Sequence, residues 1–181
     1  NFSAAAPRKF TRLHLLGQKG ARCLWGKWVS ASEGGGVGQW FTQLHVMQDG
    51  DQPRESVFPA VIETYAGDPA IREVRLLDVT GNEADAQRAV AVAVTTANGH
   101  ADILFDDGRA GKPRKVALPG GKSLDVNARF AYVSTDADGL RQASISGGAL
   151  LDCPGVVRIQ PRQAEYKGVL SAVDHLERTL D

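Results

Sequence analysis

The groups in this chain whose types could do chemistry are four histidines, three tryptophans, a glutamate and tyrosine two residues apart, and one basic stretch. Histidine can move a proton near neutral pH or hold a metal. His14 and His45 stand in L-H-L-L and L-H-V-M, apolar strand-like contexts in which an imidazole satisfied by its neighbours is expected. His100 follows an N-G turn, and His175 follows Asp174, where exposure to solvent is the simplest expectation. No histidine or cysteine spacing matches a zinc site, so no metal or other cofactor is expected. Glu63 and Tyr65 in I-E-T-Y fall on one face of a strand. A hydrogen bond or ion pair at Glu63 would hold the strand end together, with general acid as its competing role. Tyr65 is expected to be a half-buried aromatic that closes the strand.

Trp25, Trp28 and Trp40 are the side chains that would stack on sugar rings. Trp25 and Trp28 are three residues apart, so a regular strand sends them to opposite faces and at least one is expected inside. The basic stretch R-A-G-K-P-R-K supplies Arg109, Lys112, Arg114 and Lys115, which could meet an acidic polysaccharide or simply form a solvated hairpin tip. E-G-G-G-V-G at 33–38 lacks the lysine and hydroxyl residue of a phosphate loop, and D-A-D-G at 136–139 lacks the distal glutamate of a calcium loop. Both read as loops or turns. Cys23 and Cys153 fit either one disulfide across the domain or two free thiols.

The elements that must position these groups are strands. In R-A-V-A-V-A-V-T-T, Val90, Val92 and Val94 share one face, and Ala89, Ala91 and Ala93 share the other. The pattern predicts a central strand covered on both sides, its valines lining an inner wall and its alanines allowing another layer to approach closely. Further strands are expected over Phe10–Leu16, Arg22–Val29, Trp40–Met47, Ser56–Tyr65, Arg72–Val79, Asp102–Phe105, Arg114–Leu118, Arg129–Thr135, Leu140–Ser146, Gly155–Gln160 and Lys167–Val173. Turn chemistry separates them: D-G-D at 49–51, T-G-N at 80–82, N-G at 98–99, D-D-G at 106–108, P-G-G at 119–121 and D-A-D-G at 136–139. Helix signals are poor, since A-D-A-Q-R-A-V-A-V from Ala84 gives way to the strand period. The expected fold is all-β: a two-layer antiparallel β-sandwich, with 1–181 forming a single domain.

With 43% apolar and 23% charged residues, the chain has the composition of a globular domain. Lysine plus arginine and aspartate plus glutamate number 21 each, so no overall field draws it to nucleic acid, and no apolar run approaches the roughly 20 residues of a membrane span. The chain opens on Asn1 and stops at R-T-L-D, which reads as a fragment of a longer multidomain polypeptide whose leader or upstream domain has been removed. A secreted or periplasmic location is the corresponding expectation.

The stretch S-V-F-P-A-V-I-E-T-Y-A-G-D-P-A-I resembles the segment of heparinase II/III-like polysaccharide lyases in which S-x-F-x-x-V-x-E-x-Y precedes x-G-x-P-x-I. R-E-V-R-L-L, A-D-I-L-F-D-D-G, A-R-F-A-Y-V-S-T-D-A-D-G-L, A-S-I-S-G-G-A-L-L and Y-K-G-V-L-S-A-V-D follow in the same order, so the resemblance covers roughly Leu44 to Asp174. It implies a β-sandwich that accompanies a catalytic α-helical toroid in enzymes cleaving uronic-acid-containing polysaccharides by β-elimination. In that reaction a base takes the proton beside the uronate carboxylate, an acid protonates the departing oxygen, and a cation or hydrogen-bond donor neutralises the carboxylate. The resemblance implies asparagine, histidine and tyrosine machinery lying largely in the toroid and early sandwich; no helical region of a toroid's size is expected in this chain, so no catalytic residue is carried over. The expectation is a non-catalytic domain that buttresses the toroid and contributes to the saccharide cleft. An independent carbohydrate-binding or cell-surface adhesion module is the alternative. An enzyme using Tyr65 and a histidine ranks third.

Overall fold

The computed structural model describes residues 8–17, 20–29, 40–48, 57–82, 89–109, 112–162, 173–174 and 179–180. Within them every regular element is a strand except one 3-10 turn, Pro119–Gly121, and no helix is long and apolar enough to cross a membrane. The expected strand at Lys167–Val173, the D-G-D turn, the glycine run 33–38, Arg88 and His175 lie wholly or almost wholly outside the described residues.

Five strands form one antiparallel sheet: β5 (Ile71–Leu77), β6 (Val90–Thr96), β7 (Ala101–Asp106), β10 (Phe130–Asp136) and β11 (Gly139–Ser146), in the order β11-β10-β7-β6-β5. A four-stranded antiparallel sheet has the order β13-β12-β9-β8, built from β8 (Arg114–Ala117), β9 (Ser123–Asn127), β12 (Leu150–Cys153) and β13 (Val157–Ile159). Separate two-stranded sheets pair β1 (Lys9–Leu15) with β4 (Ala60–Ala66), β2 (Ala21–Val29) with β3 (Trp40–Gln48), and β14 (Val173–Asp174) with β15 (Thr179–Leu180). The N-G and D-A-D-G turns close the β6–β7 and β10–β11 hairpins, where positive φ at Gly99 and Gly139 suits glycine.

One hydrophobic cluster draws on both larger sheets. Ala91, Phe105, Ala131 and Val133 come from the five-stranded sheet, and Val116, Leu124, Val126, Leu151 and Cys153 from the four-stranded one. The strand period selects them: Ala91 pairs with Phe105 and Phe105 with Ala131, while Val116 pairs with Leu124 and Val126 with Leu151. Here the structure corrects the expected orientation of β6. Ala91, with Ala89 just before the strand, and not the valines, lies in the shared core; Val92 and Val94 are buried on the opposite face beside Leu104 and the Tyr132–Asp102 hydrogen bond of 3.0 Å. Alanine stands opposite the bulky Phe105 in the register, so a small and a large side chain share the space between the strands.

The two sheets are also stitched by backbone. Beyond β5 the chain hydrogen-bonds to β8, with Thr80 N to Lys115 O at 2.9 Å, Ala117 N to Asp78 O at 2.9 Å and a bridge from Val79 to Val116. That pairing covers the β8 edge, which would otherwise present unpaired amides. At Gly147-Gly148 the chain presses on its own backbone: a Cβ on Gly148 would lie 2.3 Å from the Ala128 Cα. Ser123–Asn127 and Leu150–Cys153 were not among the expected strands. Each is short and carries an outward aspartate, Asp125 or Asp152, that makes it read as a loop.

Candidate functional site

The β1–β4 ribbon gathers the most reactive side chains. Its register sets Phe10 opposite Tyr65, Arg12 opposite Glu63 and His14 opposite Val61, so Phe10, Arg12, His14, Glu63 and Tyr65 share one face. Tyr65 stacks on Phe10 with ring centroids 5.4 Å apart, and the Arg12 guanidinium lies over the Tyr65 ring, also at 5.4 Å. Aromatic contact and cation–π attraction therefore hold the tyrosine as a partly buried ring, the role expected for it.

Glu63 is the centre of the group. Its side chain is only 5% exposed, and its Oε1 accepts a hydrogen bond from the Ile71 backbone N–H at 2.7 Å. Arg12 Nη1 and His14 Nε2 stand 3.7 Å and 3.6 Å from Oε2. The Ile71 N–H, with help from the Arg12 charge, holds the Glu63 carboxyl below its ordinary range although burial pulls the other way. A general acid needs a raised pKa, so this environment favours the strand-end hydrogen bond over acid catalysis. His14 and Tyr65 lie four positions apart along the ribbon, about 13 Å at strand rise, with Arg12 and Glu63 between them.

The basic stretch divides. Arg114 is withdrawn from solvent, contrary to its expected place on an exposed tip: its side chain is 3% exposed and its Nε donates to Asp107 Oδ2 at 2.9 Å, with Asp107 1% exposed. Arg114 Nη1 also donates to Gly81 O at 2.8 Å, and Asp107 Oδ1 accepts from Arg109 N at 3.0 Å. The T-G-N turn at 80–82 thus furnishes a carbonyl for a buried cation. Gly81 has φ 80° and any Cβ there would stand 3.0 Å from Arg114 Nη1. Lys115 faces the opposite side of β8, 3.4 Å from Asp125, in a ladder that continues through Asp152 to Arg158 at 3.2 Å. Arg109 and Lys112 are exposed.

On the β2–β3 ribbon Trp25 is 74% exposed, as a sugar platform requires, and neighbouring Leu24 is also exposed. Trp28 pairs in register with Phe41 and Trp40 with Val29, but the Trp28 and Trp40 side chains lie outside the described residues. His45 contacts Gln43 at 3.0 Å, and His100 lies against the exposed Arg141 guanidinium. Cys23 and Cys153 are free thiols, the first exposed and the second buried with its pKa pushed up by burial. Among the described residues no cluster of histidine, cysteine and acidic side chains could hold a metal ion.

Sequence reasoning missed Arg12 as the partner of Glu63 and Asp107 as the partner of Arg114. The signal for the first is R-x-H against E-x-Y, which becomes informative only once the strand pairing is known. Fold and site together define an all-β protein of antiparallel sheets with a polar ribbon joined to its main sheet. Comparison with protein-family models, curated proteins and solved structures finds no match to the chain.

Proposed function

We propose that the chain is a non-catalytic β-sandwich domain of a heparinase II/III-like polysaccharide lyase, its layers being the five- and four-stranded sheets. Its role is to brace a catalytic helical toroid and to flank a cleft for uronic-acid-containing polysaccharide. The observation that carries this reading is Glu63. It is the carboxylate of the resembling stretch S-V-F-P-A-V-I-E-T-Y, and it is engaged by the Ile71 amide instead of standing ready to transfer a proton. The core shared by alternate residues of both larger sheets supports the two-layer arrangement.

Incubated with heparan sulfate or alginate, the purified chain should produce no ultraviolet absorbance from unsaturated uronate ends; sustained turnover would overturn the non-catalytic assignment. The reading also requires the parent polypeptide to encode a helical toroid bearing paired histidine and tyrosine. A parent lacking one rejects the lyase assignment.

Trp25 favours a second reading, an independent carbohydrate-binding module, because an indole so exposed on a strand can stack on a sugar ring, with Lys27 on the same face to meet an acidic substituent. Calorimetric titration with acidic and neutral oligosaccharides separates the two. Binding by the isolated chain that is lost in Trp25→Ala supports the module, and no heat with either sugar removes it.

A further inference from the structure

Glu63 and Arg12 both grip Ile71, the first residue of β5. Glu63 Oε1 accepts from Ile71 N at 2.7 Å, and Arg12 Nη1 reaches Ile71 O at 3.5 Å. An acid and a base from the two-stranded ribbon thereby occupy both backbone polar groups at one corner of the five-stranded sheet. The second carboxylate oxygen, Oε2, is buried without a hydrogen-bond partner, and so is His14 Nε2, 3.6 Å away. An imidazole nitrogen that bears a proton in this position is a donor for the buried carboxylate oxygen, and a charge on the ring strengthens the attraction.

We propose that Glu63, Arg12 and His14 form a proton-operated latch fastening the β1–β4 ribbon to β5, tightest when His14 is protonated and Glu63 ionised, and open once Glu63 takes up a proton. The charged side chains facing Glu63 among the described residues are Arg12 and His14 of β1; β5 and its approach present the Ile71 and Ala70 backbone. Tyr65 faces Arg12 through its ring. Between ribbon and sheet the chain passes Gly67 at φ 80°, a left-handed position suited to a hinge.

A charge on His14 strengthens the pull on the carboxylate and a proton on Glu63 removes it, so the two protonations act in opposite directions. The carboxyl of Glu63 is held below its ordinary range in the folded chain. Its contribution is therefore complete above the ordinary carboxylate range and is lost as pH falls through the lowered value.

The Ile71 amide reports the latch directly. Its hydrogen-exchange protection, measured by NMR on the full chain from about pH 7 downward until Glu63 is protonated and corrected for intrinsic exchange, should first rise roughly three- to tenfold and then collapse. His14→Gln should abolish the rise and retain the collapse, while Glu63→Gln should flatten the profile. A flat wild-type profile, or a rise that survives in His14→Gln, overturns the proposal. The wild-type and His14→Gln curves decide the matter even if Glu63→Gln fails to fold.

Discussion

Asp107 and Arg114 form an ion pair with both partners almost wholly out of water, and its energetics are asymmetric. Bringing two charges inside is costly, so the intact pair adds little net stability; removing one partner strands the other. Asp107→Ala should therefore destabilise the chain by about 3–5 kcal/mol in urea unfolding, and the double variant Asp107→Ala/Arg114→Ala should lose less than the sum of the single losses. An additive double variant would show that the pair is not coupled. Gly81→Ala strains a left-handed backbone position and crowds the Arg114 guanidinium, and should cost at least about 1 kcal/mol. The cysteines differ just as sharply. A thiol reagent should modify Cys23 readily and Cys153 only after unfolding, because Cys153 is buried and its thiolate disfavoured. Two equally reactive thiols in the native chain would contradict this.

At the level of elements, side chains repair places where the ladders stop. Asn82 donates to Ala89 O at 2.8 Å and accepts from Ala89 N at 3.0 Å, standing in for a strand neighbour where the chain enters β6. Asn82→Ala leaves the buried Ala89 amide and carbonyl without these partners and should cost about 1–3 kcal/mol, with faster hydrogen exchange at the start of β6. Gly148 meets the Ala128 backbone so closely that Gly148→Ala must displace β9 or β12. The expected penalty is about 1–3 kcal/mol or more, and a variant with unchanged melting temperature would refute the contact. Most strands were legible from apolar alternation and turn residues, with bounds shifted by a residue or two except at β4, which begins at Ala60 and not at Ser56. The β9 and β12 strands were not, because Leu124-x-Val126 and Leu151-x-Cys153 offer too few inward positions to distinguish a strand from a loop.

Across the molecule, stability is concentrated where the two larger sheets share their core. Leu151 is fully buried there, and Leu151→Ala should lose about 2–5 kcal/mol, whereas the exposed Trp25→Ala should change stability by no more than about 0.5 kcal/mol. Calorimetric melting of the two variants checks the contrast. Equal losses would mean that the β2–β3 ribbon is as much a part of the folded core as the sheets. Isolated two-stranded ribbons are marginal in water, so the β1–β4 ribbon gains from every tie to a larger sheet, and Glu63 supplies one.

By itself the sequence determined that the chain is built of strands, where most turns fall, and that Glu63 and Tyr65 share a face, because period-two patterning and turn chemistry are local properties. Only the tertiary structure decided which face of β6 points inward, because alanine and valine are both apolar and the choice depends on the Phe105 across the ladder. The same holds for Arg114, basic and exposed by pattern, buried in fact: its fate rests on an aspartate seven residues earlier and a carbonyl from a distant turn, and such partners meet only when the chain is folded.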